Sequence, residues 1–530
     1  MALLLGDQQE FDVETSQIGD PCQSVIYETA TSSRRVSNAT RRKLTLGSYM
    51  TIAAAASGLV SDGYFDYEII DHNNLMTMTN VVFKQLYPTE YTSAVSTRVS
   101  NALLVGEIIG QLFIGILCDR MGRKSGLFVT TLLIVIGAIL CTAAKGANGS
   151  VQGLFWFMTI ARGVTGVGNG GEYPASGTSA SEATDEIMST NRGPVFLLAT
   201  SLPLVLGGPL AVSVFLIVLS AAGETHLETV WRVCFGVGIL FPVTVFYFRM
   251  RMVRSKLFRE GAIKRHVPYR LALKRYWKSL IGTCGAWFTL DFVGILSYLV
   301  MVSQELDQIF YPNGIFSATI IASVIPNGGI RATAEWQLLL GAIALLGVFV
   351  GAFLCNPLGR RNTMILGFFG YLAFGLIIGC GYERVTKIVP LFVTLYGLMT
   401  FMGNLGPGNM SLLTSAESYP TSIRGTCFGI SAAIGKVGAA VGTEVFTPTQ
   451  KDLGQKWTFI LAGIFGGLGM LVTYFFVPDM TGVDLANEDE KFLKYLADNG
   501  WHGDVGDEDA ASVTTESNFP DGINYDEKVQ

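Results

Sequence analysis

Charge is what this sequence is short of. Asp, Glu, Lys and Arg make up 15% of the 530 residues, while half of the chain is hydrophobic. Soluble domains carry roughly 25% charge, so a soluble protein of this length is excluded. The 61 glycines and 33 phenylalanines fit a chain that crosses a membrane many times. Histidine is scarce too: four stand far apart, which argues against a metal site. The eight cysteines are scattered singly, without a C-x-x-C pair, so neither a disulfide framework nor a zinc knuckle is expected. A secretory leader is also not expected, because the first apolar stretch, ALLL, is short and runs into a long polar segment.

What is present is a series of apolar runs. Twelve are about long enough to span as helices: 45–68, 99–118, 127–145, 152–175, 195–222, 230–248, 279–302, 336–356, 363–381, 388–412, 425–446 and 457–477. Strands are implausible at this length without two-residue alternation. Basic residues set the orientation. Residues 249–278 hold eleven Lys or Arg and one acid, Glu260. With Arg41-Arg42-Lys43, DRMGRK (119–124) and Arg360-Arg361, they fall on one side if both termini are cytosolic. The basic segment reads as a topology anchor lying on anionic lipid, and nucleic-acid binding is not expected.

An internal echo gives the architecture. LCDRMGRK (117–124) returns as LCNPLGRR (354–361), and Glu172-Tyr173-Pro174 returns loosely as Glu417-Ser418-Tyr419-Pro420. The expectation is an all-α membrane protein of twelve transmembrane helices in two six-helix halves. Residues 45–248 and 279–478 form the halves and 249–278 the linker. Residues 1–44 and 479–530 are solvated cytosolic tails, the second acidic with one helix at NEDEKFLKYLADNG. Duplicated halves place a transporter's substrate site between them near the midplane.

GVGNGGEYPAS (166–176) contains G-x-G-x-x-G, the dinucleotide fingerprint. It lies late in an apolar span with no βαβ unit around it, so the glycines read as helix-packing residues. Glu172 is not explained that way. An ionisable side chain deep in a span costs about 2.5–3.5 kcal/mol on insertion scales and normally marks a functional pathway. Five such positions stand out: Asp62, Arg162, Glu172, Asp291 and Lys436. Each has a bland alternative. Arg162 serves equally as a helix clamp, Glu172 as an interfacial cap, Asp62 as a residue of an aqueous mouth, and Asp291 with Lys436 as a locking pair. Together they point to proton coupling, because burial favours the protonated form of a carboxyl. The ammonium among Gly435, Gly438 and Ala439 suits an anionic solute.

The same residues resemble a family. GILCDRMGRK and RGVTGVGNGG (162–171) look like signatures of the major facilitator superfamily. LVSDGY (59–64), GGEYPAS (170–176), WFTLD (287–291), GNLGPGN with ESYPTSIRGT, and SAAIGKVGAA (431–440) resemble the fungal phosphate:proton symporter group. Within it, VSNALLVGEIIGQ, HLETVWRVCFG and KRYWKSLIGTCGAWF are similar to the glycerophosphoinositol permease branch.

The resemblance implies a major facilitator fold, a plasma-membrane location and proton-coupled import of an anionic organophosphate by a monomer. The proton gradient takes the place of a cofactor, and no enzyme activity is implied. Carried over residue by residue, it makes Asp62 and Glu172 the proton-coupling acids. Tyr173, Trp287, Asp291, Asn404 and Lys436 become substrate residues. Asp119, Arg120, Gly122, Arg123, Arg162, Glu417 and Arg424 become structural or gating residues. The chain departs from the phosphate pattern in three places. Asp66 does not match the second acid of the first span, TSLPLVLGG (200–208) offers no glutamine, and Gly408 stands where an asparagine is expected. These losses fit a bulkier solute than phosphate; inorganic phosphate symport and a non-transporting nutrient receptor are the alternatives. FDYEIIDH and VGILSYLVMVSQELDQIFY carry extra residues relative to the permease branch, read as an outer elaboration or a translated intron.

Overall fold

The two echoed loops turn on glycine. Gly122 has φ 94° and Gly359 φ 88°, a backbone region that side chains rarely adopt. Gly122 joins α3 (Ser93–Met121) to α4 (Arg123–Ala143), and Gly359 lies between α10 (Ile330–Leu354) and α11 (Arg360–Cys380). The sequence repeat is thus a repeat of backbone geometry. The computed structural model describes residues 58–65, 75–188, 191–250, 267–300, 330–454 and 456–501, with single positions at 52, 258, 261, 263 and 503.

The remaining helices are α1 (Leu59–Phe65), α2 (Leu75–Leu86), α5 (Val151–Met188), α6 (Arg192–Ala222), α7 (Leu227–Gly238), α8 (Leu240–Met250), α9 (Tyr269–Val300), a short α12 (Tyr382–Val385), α13 (Val389–Gly403), α14 (Asn409–Glu417), α15 (Arg424–Leu453), α16 (Lys456–Phe476) and α17 (Leu485–Asp498). A π-helical turn, Asn404–Gly408, joins α13 to α14 around Pro407.

Among the described residues, eight helices are long and apolar enough to cross a membrane. Three more of the expected spans are helical, two of them less apolar and the third divided by the π turn. Residues 152–175 lie in α5, 279–302 begin in α9, and 388–412 run through α13, the π turn and α14. The first expected span, 45–68, is described only at Ile52 and 58–65. Much of the extra block after Asp291, the stretch before α2 and the chain before Ile52 lie outside the described residues, although α9 continues to Val300.

Large apolar side chains face outward, among them Phe353 at 77% exposure and Ile217 at 68%. Such a belt suits hydrocarbon and is untenable in water. The interior, largely apolar, also buries polar groups, among them Glu107, Gln111, Asn169, Glu172 and Lys436. Glycine brings the helices close. A Cβ on Gly106 would lie 2.3 Å from the Gly163 carbonyl, and one on Gly170 would lie 2.2 Å from that of Glu107. This is the work of the G-x-G-x-x-G stretch: α5 packs on α3, backbone to backbone. Across the presumed halves, α3 packs on α15 and α6 on α10.

The C-terminal helix departs from the expected solvated tail. Asp484 caps α17, its Oδ1 accepting from Ala486 N at 2.9 Å. Phe492 and Leu496 bury against Ile263, Tyr276 and Ile423. Asp489 accepts from Thr421 N at 2.6 Å and Thr421 Oγ1 at 2.7 Å. An apolar stripe of one residue per turn docks the helix; the acidic residues on its other face are what made it read as solvated.

Candidate functional site

Three polar groups occupy the bundle. The central one gathers around Lys436 of α15. Its Nζ lies 3.0 Å from Glu107 Oε2 on α3, both side chains nearly inaccessible. The same Nζ lies 5.6 Å from the Tyr173 ring centroid on α5. Tyr173 meets Trp287 of α9 edge to face at 6.0 Å, and Trp287 Nε1 donates to Ser415 Oγ at 3.0 Å. Asp291 is one turn beyond Trp287; a Cβ on Gly435 would lie 2.7 Å from Asp291 Oδ2 and 3.2 Å from Trp287 Cβ. So α3, α5, α9, α14 and α15 converge, and the structure places Tyr173, Trp287, Asp291 and Lys436 near one another. Helical spacing puts Gln111 one turn from Glu107 and Asn169 one turn before Tyr173. Both amides are buried and have no hydrogen-bond partner among the described residues. Asn404 sits in the π turn, where its Nδ2 donates to the Thr400 carbonyl at 3.2 Å and its Cβ lies against Gly347 of α10.

The second group surrounds Glu172. Arg249, at the end of α8, reaches inward and binds it with both nitrogens, Nη1 to Oε1 at 2.6 Å and Nη2 to Oε2 at 2.7 Å. Ser176 Oγ donates to Oε2 at 2.6 Å, and Thr130 Oγ1 donates to Oε1. Glu172 is therefore a bidentate ion-pair partner in this state rather than a solitary acid. Asp62 is buried on α1, which packs against α6. Arg162 Nε donates to the Val99 carbonyl at 3.0 Å and so clamps α5 to α3.

The third group lies at the end of the bundle that carries the echoed loops. Glu182 of α5 accepts from Arg123 Nε and Nη2 at 3.0 and 2.8 Å and from Arg424 Nη1 at 3.1 Å. Glu417 of α14 accepts from Arg360 Nε at 3.2 Å and Arg192 Nε at 2.7 Å. Each cage joins a repeat-loop arginine, a glutamate following the E-Y-P or E-S-Y-P region or within it, and an arginine from the other half. Arg123 also binds Asp119 Oδ1 at 2.7 Å, and Arg192 pairs with Asp185. Asp119, Gly122, Arg123, Glu417 and Arg424 thus stand in or beside the latch, whereas Arg120 is exposed.

Glu107, Gln111, Asn169, Glu182, Arg192 and Arg249 were not singled out in the sequence. The signal for Glu107 was available, since it is the lone acid between Arg98 and Asp119 in an apolar run.

With the geometry in place, comparison with known proteins decides the family. The profile of sugar (and other) transporters matches residues 50–492. The chain belongs to the sugar (and other) transporter family. This transporter is 52% identical over 460 residues to glycerophosphoinositol permease 1 of Candida albicans, covering 86% of this chain and 83% of that one. It is 44% identical to glycerophosphoinositol transporter 1 of Saccharomyces cerevisiae, covering 94% and 92%. Low affinity inorganic phosphate transporter 4 of Lotus japonicus is 29% identical over 67% of this chain and 74% of its own. In fold, the transporter matches the proton:xylose symporter XylE with a TM-score of 0.67, covering 84% of this chain and 98% of that one at 17% identity. The fold is that of the major facilitator superfamily, and the protein is a multi-pass membrane transporter rather than an enzyme.

Proposed function

We propose that this transporter imports glycerophosphoinositol or a related glycerophosphodiester across the plasma membrane by proton symport and alternating access. Both termini and the latch lie on the cytosolic side, and 45–248 and 279–478 act as the two rocking halves. The observation that carries this reading is the buried ammonium of Lys436 between α3, α5 and α9, with an indole and a phenol beside it. An ammonium in a dry site is an anion receptor once its carboxylate partner is exchanged. Gln111 and Asn169 add amide donors and acceptors suited to glycerol or inositol hydroxyls. A site for phosphate alone has little use for them. The two relatives of highest identity named above are a glycerophosphoinositol permease and a glycerophosphoinositol transporter, which supports the same solute. Asp62 and Glu172 are proposed to assist proton movement, and Asn404 to line the substrate path through the π turn.

The test is uptake of labelled glycerophosphoinositol by transporter-deficient cells at acidic and neutral external pH, with and without excess phosphate. Acid-stimulated accumulation that phosphate competes with poorly supports the reading. Uptake of phosphate without uptake of the diester assigns the inorganic substrate instead. Lys436→Ala is expected to abolish diester binding, and unchanged affinity removes Lys436 from the site.

A further inference from the structure

Glu107 has no task in a site built only to bind substrate, yet it holds the ammonium that the substrate needs. We propose that Glu107 is the coupling acid. It pairs with Lys436 while the site is empty and yields the ammonium to the substrate's phosphodiester by taking up a proton. The inference rests on the glycerophosphodiester reading above.

The argument is one of charge. A buried ammonium requires an anion, and removing its partner without replacement is strongly unfavourable. Glu107 Oε2, 3.0 Å from Lys436 Nζ, supplies that anion in this state. A phosphodiester has one ionised oxygen and no acidic proton of its own near neutral pH, so it brings a charge and nothing to neutralise the carboxylate it displaces. The balanced step takes one proton from outside. The Glu107 carboxylate becomes a carboxylic acid, the diester oxygen takes its place at Nζ, and the net charge of the site is unchanged.

The groups facing Glu107 sharpen the choice. From α15 comes Lys436, and from α9 comes Asp291, a second carboxyl beside Gly435. From α5 come Tyr173, near the ammonium, and Glu172, already held by Arg249. Arg162 of α5 is bound to the Val99 carbonyl toward one end of α3; on α4 the ionisable side chains are Arg123 and Lys124 at one end and Cys141 at the other. Among the described residues two carboxyls lie near this ammonium, and a further anion enters most readily with a proton. Protonating Asp291 leaves α3 tied to α15 through Glu107. Protonating Glu107 unties them, and those helices belong to different halves of the duplicated chain. Loading and the freedom to rock are thereby joined in one side chain.

The experiment uses the purified full-length protein, weak buffer and a pH-sensitive dye. Wild type is expected to take up about one proton per glycerophosphoinositol bound and to gain affinity on acidification by about tenfold per pH unit. Glu107→Gln is expected to take up none and to bind with an affinity independent of pH. Glu107→Asp, which keeps the acid, retains the uptake. Proton uptake that survives in Glu107→Gln overturns the inference. If the wild type binds phosphate but not the diester, the substrate reading fails by itself. The same count made with inorganic phosphate then tests Glu107 separately, and uptake that persists in Glu107→Gln overturns it there too.

Discussion

The two arginine–glutamate cages make a quantitative prediction. Glu182→Gln keeps the shape of the side chain and one acceptor oxygen but removes the charge from a buried group that three guanidinium nitrogens approach within 3.1 Å. Breaking a buried pair by removing one partner's charge costs about 3–5 kcal/mol. The amide oxygen still accepts one hydrogen bond, so the lower edge, about 3 kcal/mol, is the working figure. On the proposed alternating-access reading the cage is lost when this end opens, so nearly all of that loss favours the open state. At about 1.4 kcal/mol per decade the open population rises by about a hundredfold. Two native thiols report it, because Cys118 and Cys355 are fully buried at the repeat loops. In a background where the other cysteines are replaced, a polar thiol reagent is expected to label both about a hundredfold faster in Glu182→Gln. Glu417→Gln gives the symmetric result. Glu228→Gln serves as the control, because its pair with Arg232 is solvent-exposed at 59% on the acid side. Labelling of Cys118 in Glu182→Gln within about twofold of wild type refutes the latch.

Three further outcomes follow from single contacts. Arg249→Met leaves Glu172 buried without its guanidinium and is expected to lower thermal stability, by about 3–5 kcal/mol at the pair; adding Glu172→Gln recovers most of the loss, and a double-mutant cycle with no coupling rejects the pairing. Gly170→Val drives a side chain into the Glu107 carbonyl and Cα, 2.2 and 2.4 Å from the new Cβ, and is expected to cost about 1–3 kcal/mol of stability or to splay α3 from α5; wild-type melting and transport in that variant contradict the close packing. Burial holds the Asp489 carboxyl above the ordinary aspartate range, partly opposed by Arg424 and by the bonds from Thr421. The docked form of α17 therefore binds the proton more tightly than the free form. Docking is strongest below about pH 4 and weakens as pH rises through the docked value. A spin label at exposed Lys494 is expected to gain mobility over that interval in wild type and not in Asp489→Asn.

Much of the fold was legible because a bilayer imposes a length and a polarity on every crossing. The runs 99–118, 152–175 and 195–222 each fall inside a helix. The less apolar helices α5 and α9 were legible for the same reason, with their polar residues marking the site. Tyr173, Trp287, Asp291 and Lys436 were legible, since a charge or aromatic in an apolar run is visible in one dimension. Glu107 was legible by the same rule and was passed over. Arg249 was not legible: it is the first of eleven basic residues in 249–278, and nothing in its neighbours says that it turns inward to Glu172. Glu182 was hidden likewise in TSASEATDE, a stretch polar enough to read as a loop, which in the structure is the last part of α5. Sequence patterns show which residues are unusual for their surroundings. They do not show which distant residue answers them.

The duplication explains why there are two cages, and one of the four differences between the echoed loops, Asp119 against Asn356, explains why they differ. Asp119 and Asn356 occupy the same place in the echoed loops, and each contacts the arginine four residues on, at 2.7 Å for Asp119 and 3.1 Å for Asn356. Only the aspartate has a second task. Its Oδ1 accepts from Gly425 N at 2.8 Å and its Oδ2 from Thr426 N at 2.6 Å, so it caps the first turn of α15 from a helix in the other half. A carboxylate is favoured over an amide there by the unpaired N–H groups and the positive end of the helix dipole. The asparagine leaves the second cage one negative charge short, and Asp185 beside Arg192 restores it. Each cage then holds two arginines and two acids, neutral as a unit. Parting the two cages has different consequences: the second leaves each half neutral, whereas the first leaves one negative charge with Asp119, Arg123 and Glu182 and one positive charge on Arg424, at the start of the helix that carries Lys436 and that Asp119 caps.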